Sequence, residues 1–276
     1  MIRTLLLSLC IAWPLAAANP QAVTLVTPSA MQYPFALAVD RFGNVYVADG
    51  GLMRISVWSP ATRGMTVFLP LPIAPDGVTV DDSDNIYYTT EGGVFSVDAT
   101  THKVTQIYSV TFPNRPAALT VDPSHHVFVC FPHYHEVIRV DGPGGFLVPN
   151  QGRPESIVAD RNGDLYFSDS NNASVLKWSA STQTITTVVS SPNLITPMGI
   201  AFDANGDLYL VDQRAQAIKK WSRATHQVTT IISGLDVPDG IAIDHRTGTI
   251  YFTEFAIPAL KAIYPPAPDH RHSTRH

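Results

Sequence analysis

The chain has 276 residues, 45% of them hydrophobic and 15% charged, enough apolar material for a substantial core. Its 18 lysines and arginines stand against 23 aspartates and glutamates, a formal net charge of -5. That balance excludes a nucleic-acid binder, which needs a basic patch, and electrostatic docking on an anionic bilayer.

Taken from the N-terminus, Arg3, the apolar stretch Leu5 to Leu15 and the small residues Ala16-Ala17-Ala18 read as a secretory signal over residues 1–18. The chain is therefore expected to be secreted or periplasmic. The apolar stretch is shorter than the roughly 20 residues of a membrane-spanning helix. No later segment is apolar enough to span, so no membrane insertion is expected. Cleavage after Ala18 would remove Cys10 and leave Cys130 as the lone thiol, unable to form an internal disulfide. Cys130 ends the run Val127-Phe128-Val129-Cys130 and reads as a buried small hydrophobe.

One unit then recurs. A proline opens an apolar strand and an aspartate follows six residues later: Pro34/Asp40, Pro75/Asp81, Pro116/Asp122, Pro154/Asp160, Pro197/Asp203 and Pro238/Asp244. Successive prolines stand 41, 41, 38, 43 and 41 residues apart. A turn with Gly or Asn follows most of the aspartates, and then an aromatic opens a second strand: Tyr46, Tyr87, Phe128, Tyr166, Tyr209 and Tyr251, the last arriving one residue late. This is a hairpin signal. Third strands end at Trp58, Val97, Val140, Trp178, Trp221 and Ile263, and fourth strands begin near Met65, Val104, Ile185 and Val228. Four short strands per repeat predict an all-β, six-bladed β-propeller of four-stranded blades over residues 19–264.

The last repeat lacks a fourth strand, because Pro265 and Pro266 cannot donate to a ladder. Val23-Thr24-Leu25-Val26 is similar to Val228-Thr229-Thr230-Ile231 and supplies the missing strand, closing the ring. Residues 265–276 are rich in Pro and His and read as a disordered tail.

Pro197-Met198-Gly199-Ile200-Ala201-Phe202-Asp203, then Gly206-Asp207-Leu208-Tyr209-Leu210-Val211-Asp212, then Lys220-Trp221 resembles the NHL repeat. Such repeats are similar to those of secreted bacterial propellers and of receptor-kinase sensor domains, and more distantly to gluconolactonase and streptogramin-lyase propellers. The resemblance implies that the face where each first strand begins carries the ligand funnel. The aspartates six residues after each proline then fall on the far face, as turn-building residues.

The residue after each proline breaks the repeat: Phe35, Asp76, Ala117, Glu155, Met198 and Asp239. Its acids occupy every other blade and should meet at the channel mouth. Oxygen ligands suit calcium or magnesium, so Asp76, Glu155 and Asp239 are candidate ligands of one divalent cation. In gluconolactonase-like propellers, acidic and Asn residues at this kind of position bind a metal. Pro75-Asp76-Gly77 and Pro238-Asp239-Gly240 resemble that element, without its Asn. Asp49, Asp169, Asp212 and Glu254 are expected to cap turns on the same face and to make it acidic. His133-Tyr134-His135, taken as extended, would put both imidazoles on one side as a chelate or base.

Lyases of related fold use His after the proline, which this chain lacks, and there is no Gly-x-Ser-x-Gly elbow. With no complete catalytic set, the expectation is a monomeric module that binds a small-molecule or protein ligand through its funnel face. The alternative is a divalent-metal-dependent lactonase, hydrolase or lyase, with His133 or His135 as base.

Overall fold

The computed structural model describes residues 20–111, 114–142, 147–149 and 152–265. The expected leader over residues 1–18 lies outside the described residues, as does nearly all of the expected tail over 265–276. No helix among the described residues is long and apolar enough to cross a membrane.

Six four-stranded antiparallel sheets form the six blades of a propeller. The innermost strands are Pro34–Val39, Pro75–Val80, Leu119–Val121, Pro154–Ala159, Pro197–Phe202 and Pro238–Asp244, in blades 1 to 6. Each touches the inner strands of its two neighbours, so they form a closed ring around a central channel. In blade 6 the sheet order runs from Pro238–Asp244 outward through Thr249–Glu254 and Ala259–Ile263 to Ala22–Val26. Ala22, Val23 and Thr24 pair with Ile263, Ala262 and Lys261. The N-terminal strand thus closes the ring.

Alternation along the strands explains where the core sits. In blade 1, Val45 and Val47 point toward blade 6, and Tyr46 and Ala48 point toward blade 2. In blade 4, Leu165 and Phe167 pack on blade 3 while Tyr166 packs on blade 5. Successive side chains on a strand point to opposite faces, and here both faces meet another blade. The second strands are therefore apolar at nearly every position. The core is divided into six layers, one at each blade junction. Cys130 is fully buried in the layer between blades 3 and 4, and burial pushes its thiol pKa well up.

The repeated aspartates build the far-face turns. The Asp40 Oδ1 accepts from the amides of Phe42 and Asn44, each at 2.8 Å. Asp81, Asp122, Asp160 and Asp203 accept from the same two positions of their own turns. The Tyr87 hydroxyl donates to Asp81 at 3.1 Å, and burial with the adjacent carboxylates pushes this phenol up to about 12. Phe128 has no hydroxyl; in that blade His126 Nδ1 sits 3.0 Å from Asp122 Oδ2 instead.

Candidate functional site at the funnel mouth

Five of the six inner strands share a register shift just after their proline: between Pro34 and Leu37, Pro75 and Val78, Pro154 and Ile157, Pro197 and Ile200, and Pro238 and Ile241. A bulge bends its strand and re-aims side chains. Here it leaves the residue after the proline at the mouth of the channel. Phe35, Asp76, Glu155, Met198, Asp239 and Ala117 all line one central cavity of about 560 Å³.

The next residue is held against the neighbouring blade. A Cβ added to Gly240 would lie 2.5 Å from the Phe35 carbonyl oxygen, and one added to Gly77 would lie 2.5 Å from that of Ala117. The other blades have Ala36, Ala118, Ser156 and Gly199 there, nothing larger than serine. The Thr89 hydroxyl ties the same junction, donating to the Ala117 carbonyl at 2.6 Å and accepting from the Gly77 amide at 2.8 Å. Gly240→Ala should therefore cost about 1–3 kcal/mol through overpacking, measured by urea denaturation. An unchanged midpoint would mean that the junction has slack.

The three predicted acids all reach this mouth, but in different states. Asp76 forms a two-pronged pair with Arg115: Nε to Oδ2 at 2.9 Å and Nη2 to Oδ1 at 2.7 Å. Burial raises the Asp76 pKa, while the guanidinium pulls it down. Arg115 also reaches Glu91 at 3.5 Å. Glu155 Oε1 accepts from Arg153 Nε at 2.8 Å and from the Ser170 hydroxyl at 2.8 Å. Asp239 has no hydrogen-bonding or ion-pair partner among the described residues. Burial, then the charge of Glu155, pushes its pKa up to about 7. Its ring neighbours, Met198 in blade 5 and Phe35 in blade 1, offer no polar group.

Arg115 and Arg153 were not among the predicted site residues. Each stands directly before a repeat proline, in adjacent blades 3 and 4; that shared position was the available signal. Around the mouth on blades 6 and 1, Tyr33 stacks on Phe255 at 5.2 Å, and Phe35 lies 5.8 Å from the same ring. Leu52, Met53, Ile73, Ile195 and Ile257, in loops of this face, are exposed. The mouth thus carries ion pairs on blades 2 to 4, while blades 5, 6 and 1 surround the carboxylate of Asp239 with mainly apolar side chains. Val237, just ahead of Pro238 and Asp239, holds a φ of 47°. A β-branched residue with positive φ is strained, and such strain clusters at functional sites.

Two expectations need correction. The second ring of acids does not make the face acidic, because Asp49, Asp169, Asp212 and Glu254 are buried. They brace the segments entering each blade: Asp169 accepts from the Arg153 amide at 2.9 Å, and Asp212 from the Thr196 amide at 2.8 Å. Lys219 and Lys261 neutralise Asp212 and Glu254 at 2.8 and 2.5 Å. Nor is His133-Tyr134-His135 extended. It forms a turn, with His135 at a φ of 57°. His133 lines the cavity, whereas His135 Nδ1 is engaged 2.5 Å from the Gly152 carbonyl. With the segment folded as a turn, strand alternation no longer places the two imidazoles on a shared side, and His135 has a backbone partner of its own.

No family model matches the chain, and no curated protein matches its sequence. Solved structures do match. A gluconolactonase from Xanthomonas campestris is 15% identical with a TM-score of 0.75, over 90% of this chain and 91% of that one. Regucalcin, a calcium-binding protein from Agrobacterium tumefaciens, is 14% identical with a TM-score of 0.72, over 88% and 93%. A virginiamycin B lyase from Staphylococcus aureus is 17% identical with a TM-score of 0.64, over 85% and 81%. What they share with this chain is the six-bladed propeller fold. One of these proteins binds calcium, which raises the question of whether the mouth could hold a metal. Among the described residues, no three His, Cys, Asp or Glu side chains are grouped so as to hold a metal ion. Guanidinium groups hold two of the three candidate carboxylates, and this donor set does not fit a resident divalent ion.

Proposed function

We propose that this protein is an exported propeller of NHL type that binds a small molecule at its funnel mouth without transforming it. The observation that carries this reading is the pairing of Asp76 with Arg115 and of Glu155 with Arg153. Acids already neutralised by arginine are poor metal ligands and poor general bases. These contacts give the charged side of the mouth a fixed geometry: the two-pronged Arg115 contact restricts Asp76, and Arg153 and Ser170 together restrict Glu155. The apolar side, built on Phe35, Tyr33 and Phe255, offers surface to the body of a ligand. A concave, mostly apolar site with a few placed polar groups is the usual form of a small-molecule pocket.

The second reading, a metal-dependent lactonase or related hydrolase, is favoured by one observation: Asp239 is unpaired in a fold shared with a gluconolactonase. A single assay separates the two. The mature protein is offered lactones and aryl esters with calcium, magnesium, manganese or zinc, beside an Asp76→Ala/Asp239→Ala variant. The binding reading expects no turnover with any metal. Turnover that the double substitution abolishes would replace it with the hydrolase reading. On the binding side, a thermal-shift screen of small organic compounds should yield ligands whose affinity falls about tenfold in Phe35→Ala, the loss expected for one aromatic contact.

A further inference from the structure

Resting on that binding reading, we propose that the group recognised at the mouth is an organic cation, an ammonium on an apolar body, seated on Asp239. Asp76 and Glu91 face Arg115, and Glu155 is held by Arg153 and Ser170. Asp239 alone has no partner among the described residues, although it is partly buried in the cavity wall. A buried carboxylate without a partner is destabilising, and the cost is relieved when an opposite charge arrives.

The neighbourhood selects the kind of cation. A calcium ion takes six to eight oxygen ligands, roughly, and magnesium needs a near-octahedral set. Asp239 supplies one free carboxylate, and its ring neighbours are Phe35 and Met198. That is a poor cage for a hard ion. It suits an ammonium, which needs one anion and tolerates apolar and aromatic contacts around it. The rings of Phe35, Phe255 and Tyr33 form a continuous aromatic wall beside the same sector. Cations are attracted to the faces of such rings, and the ligand body can lie along them. Opposite Asp239, blade 3 places Ala117 after its proline, a side chain too small to reach across to the carboxylate. An anionic group seated on Asp239 would meet that carboxylate's own charge, and a neutral one would leave Asp239 unpaired.

The test uses three probes of matched shape: phenethylamine, 2-phenylethanol and 3-phenylpropionate, titrated calorimetrically into the mature protein at pH 8, with calcium chloride as a fourth arm. The amine should bind at least about tenfold more tightly than the alcohol, with the carboxylate weakest, as expected for a charge-assisted contact. Asp239→Asn should bring amine and alcohol to within about twofold of each other. Phe35→Ala should weaken all three and keep their order. Equal binding of amine and alcohol by the wild-type protein, or tightest binding of the carboxylate, overturns this inference and leaves the parent reading standing. Calcium binding that competes with the amine and is lost in Asp239→Asn also overturns it, in favour of a metal. Absence of binding by any organic probe overturns the parent reading along with it.

Discussion

Asp239→Asn is expected to stabilise the protein at pH 8 and to leave its stability at pH 4 nearly unchanged. In the folded chain the Asp239 pKa is raised to about 7 from an ordinary 3.8, because burial and the Glu155 charge both disfavour the anion. Between those values the folded state holds a proton that the unfolded chain has released. Stability therefore falls as pH rises through this window, and it stays at the lower level above pH 7. Each pH unit between the folded and unfolded values corresponds to about 1.4 kcal/mol, so the full window corresponds to about 4 kcal/mol at most. Contact with channel water reduces this, and a gain of about 1–3 kcal/mol at pH 8 is expected for the neutral isostere. Melting curves of both proteins between pH 4 and 8 measure it directly. Parallel curves would mean that the carboxyl is hydrated, and the idea of an unsatisfied site would fall.

Removal of residues 20–26 is expected to have the largest structural effect. Blade 6 would keep three strands, and the Ala259–Ile263 strand would present an unpaired edge. Val26, almost wholly buried, would be lost from the layer it shares with Leu260, Val45 and Trp58. Burial of one such side chain is worth about 1.5–3 kcal/mol, and the lost ladder adds to it. The N-terminal strand also ties the two ends of the chain together, so its loss opens the ring as well as one sheet. A truncated protein should therefore unfold at least about 3 kcal/mol more easily and aggregate through the freed edge. Equal thermal midpoints for the full and truncated proteins would show that the ring is held by its inner strands alone. Val26→Ala gives a milder version of the same test, with a loss of roughly 2 kcal/mol.

The distribution of charge at the mouth also explains why a propeller fold shared with a gluconolactonase need not imply that chemistry. The same propeller presents a ring of six positions after the prolines, and what each can do depends on its partners. Arg115 approaches Asp76 from the loop that enters blade 3, and Arg153 approaches Glu155 from the loop that enters blade 4. Those two loops turn a possible triad of free acids into one free acid and two ion pairs.

By itself the sequence determined the number of blades, the start of each inner strand in five of the six, the aspartate-built turns and the closing role of residues 22–26. All of these follow from short-range spacing, proline geometry and two-residue alternation, which are written along the chain. Blade 3 starts later, at Leu119. Only the tertiary structure decided which acids are free. Asp169 and Asp212 are consumed by amides 16 residues upstream of them, and Asp76 is paired with an arginine 39 residues away. A carboxylate's state depends on what folds against it, and in a ring of blades those neighbours come from distant parts of the chain.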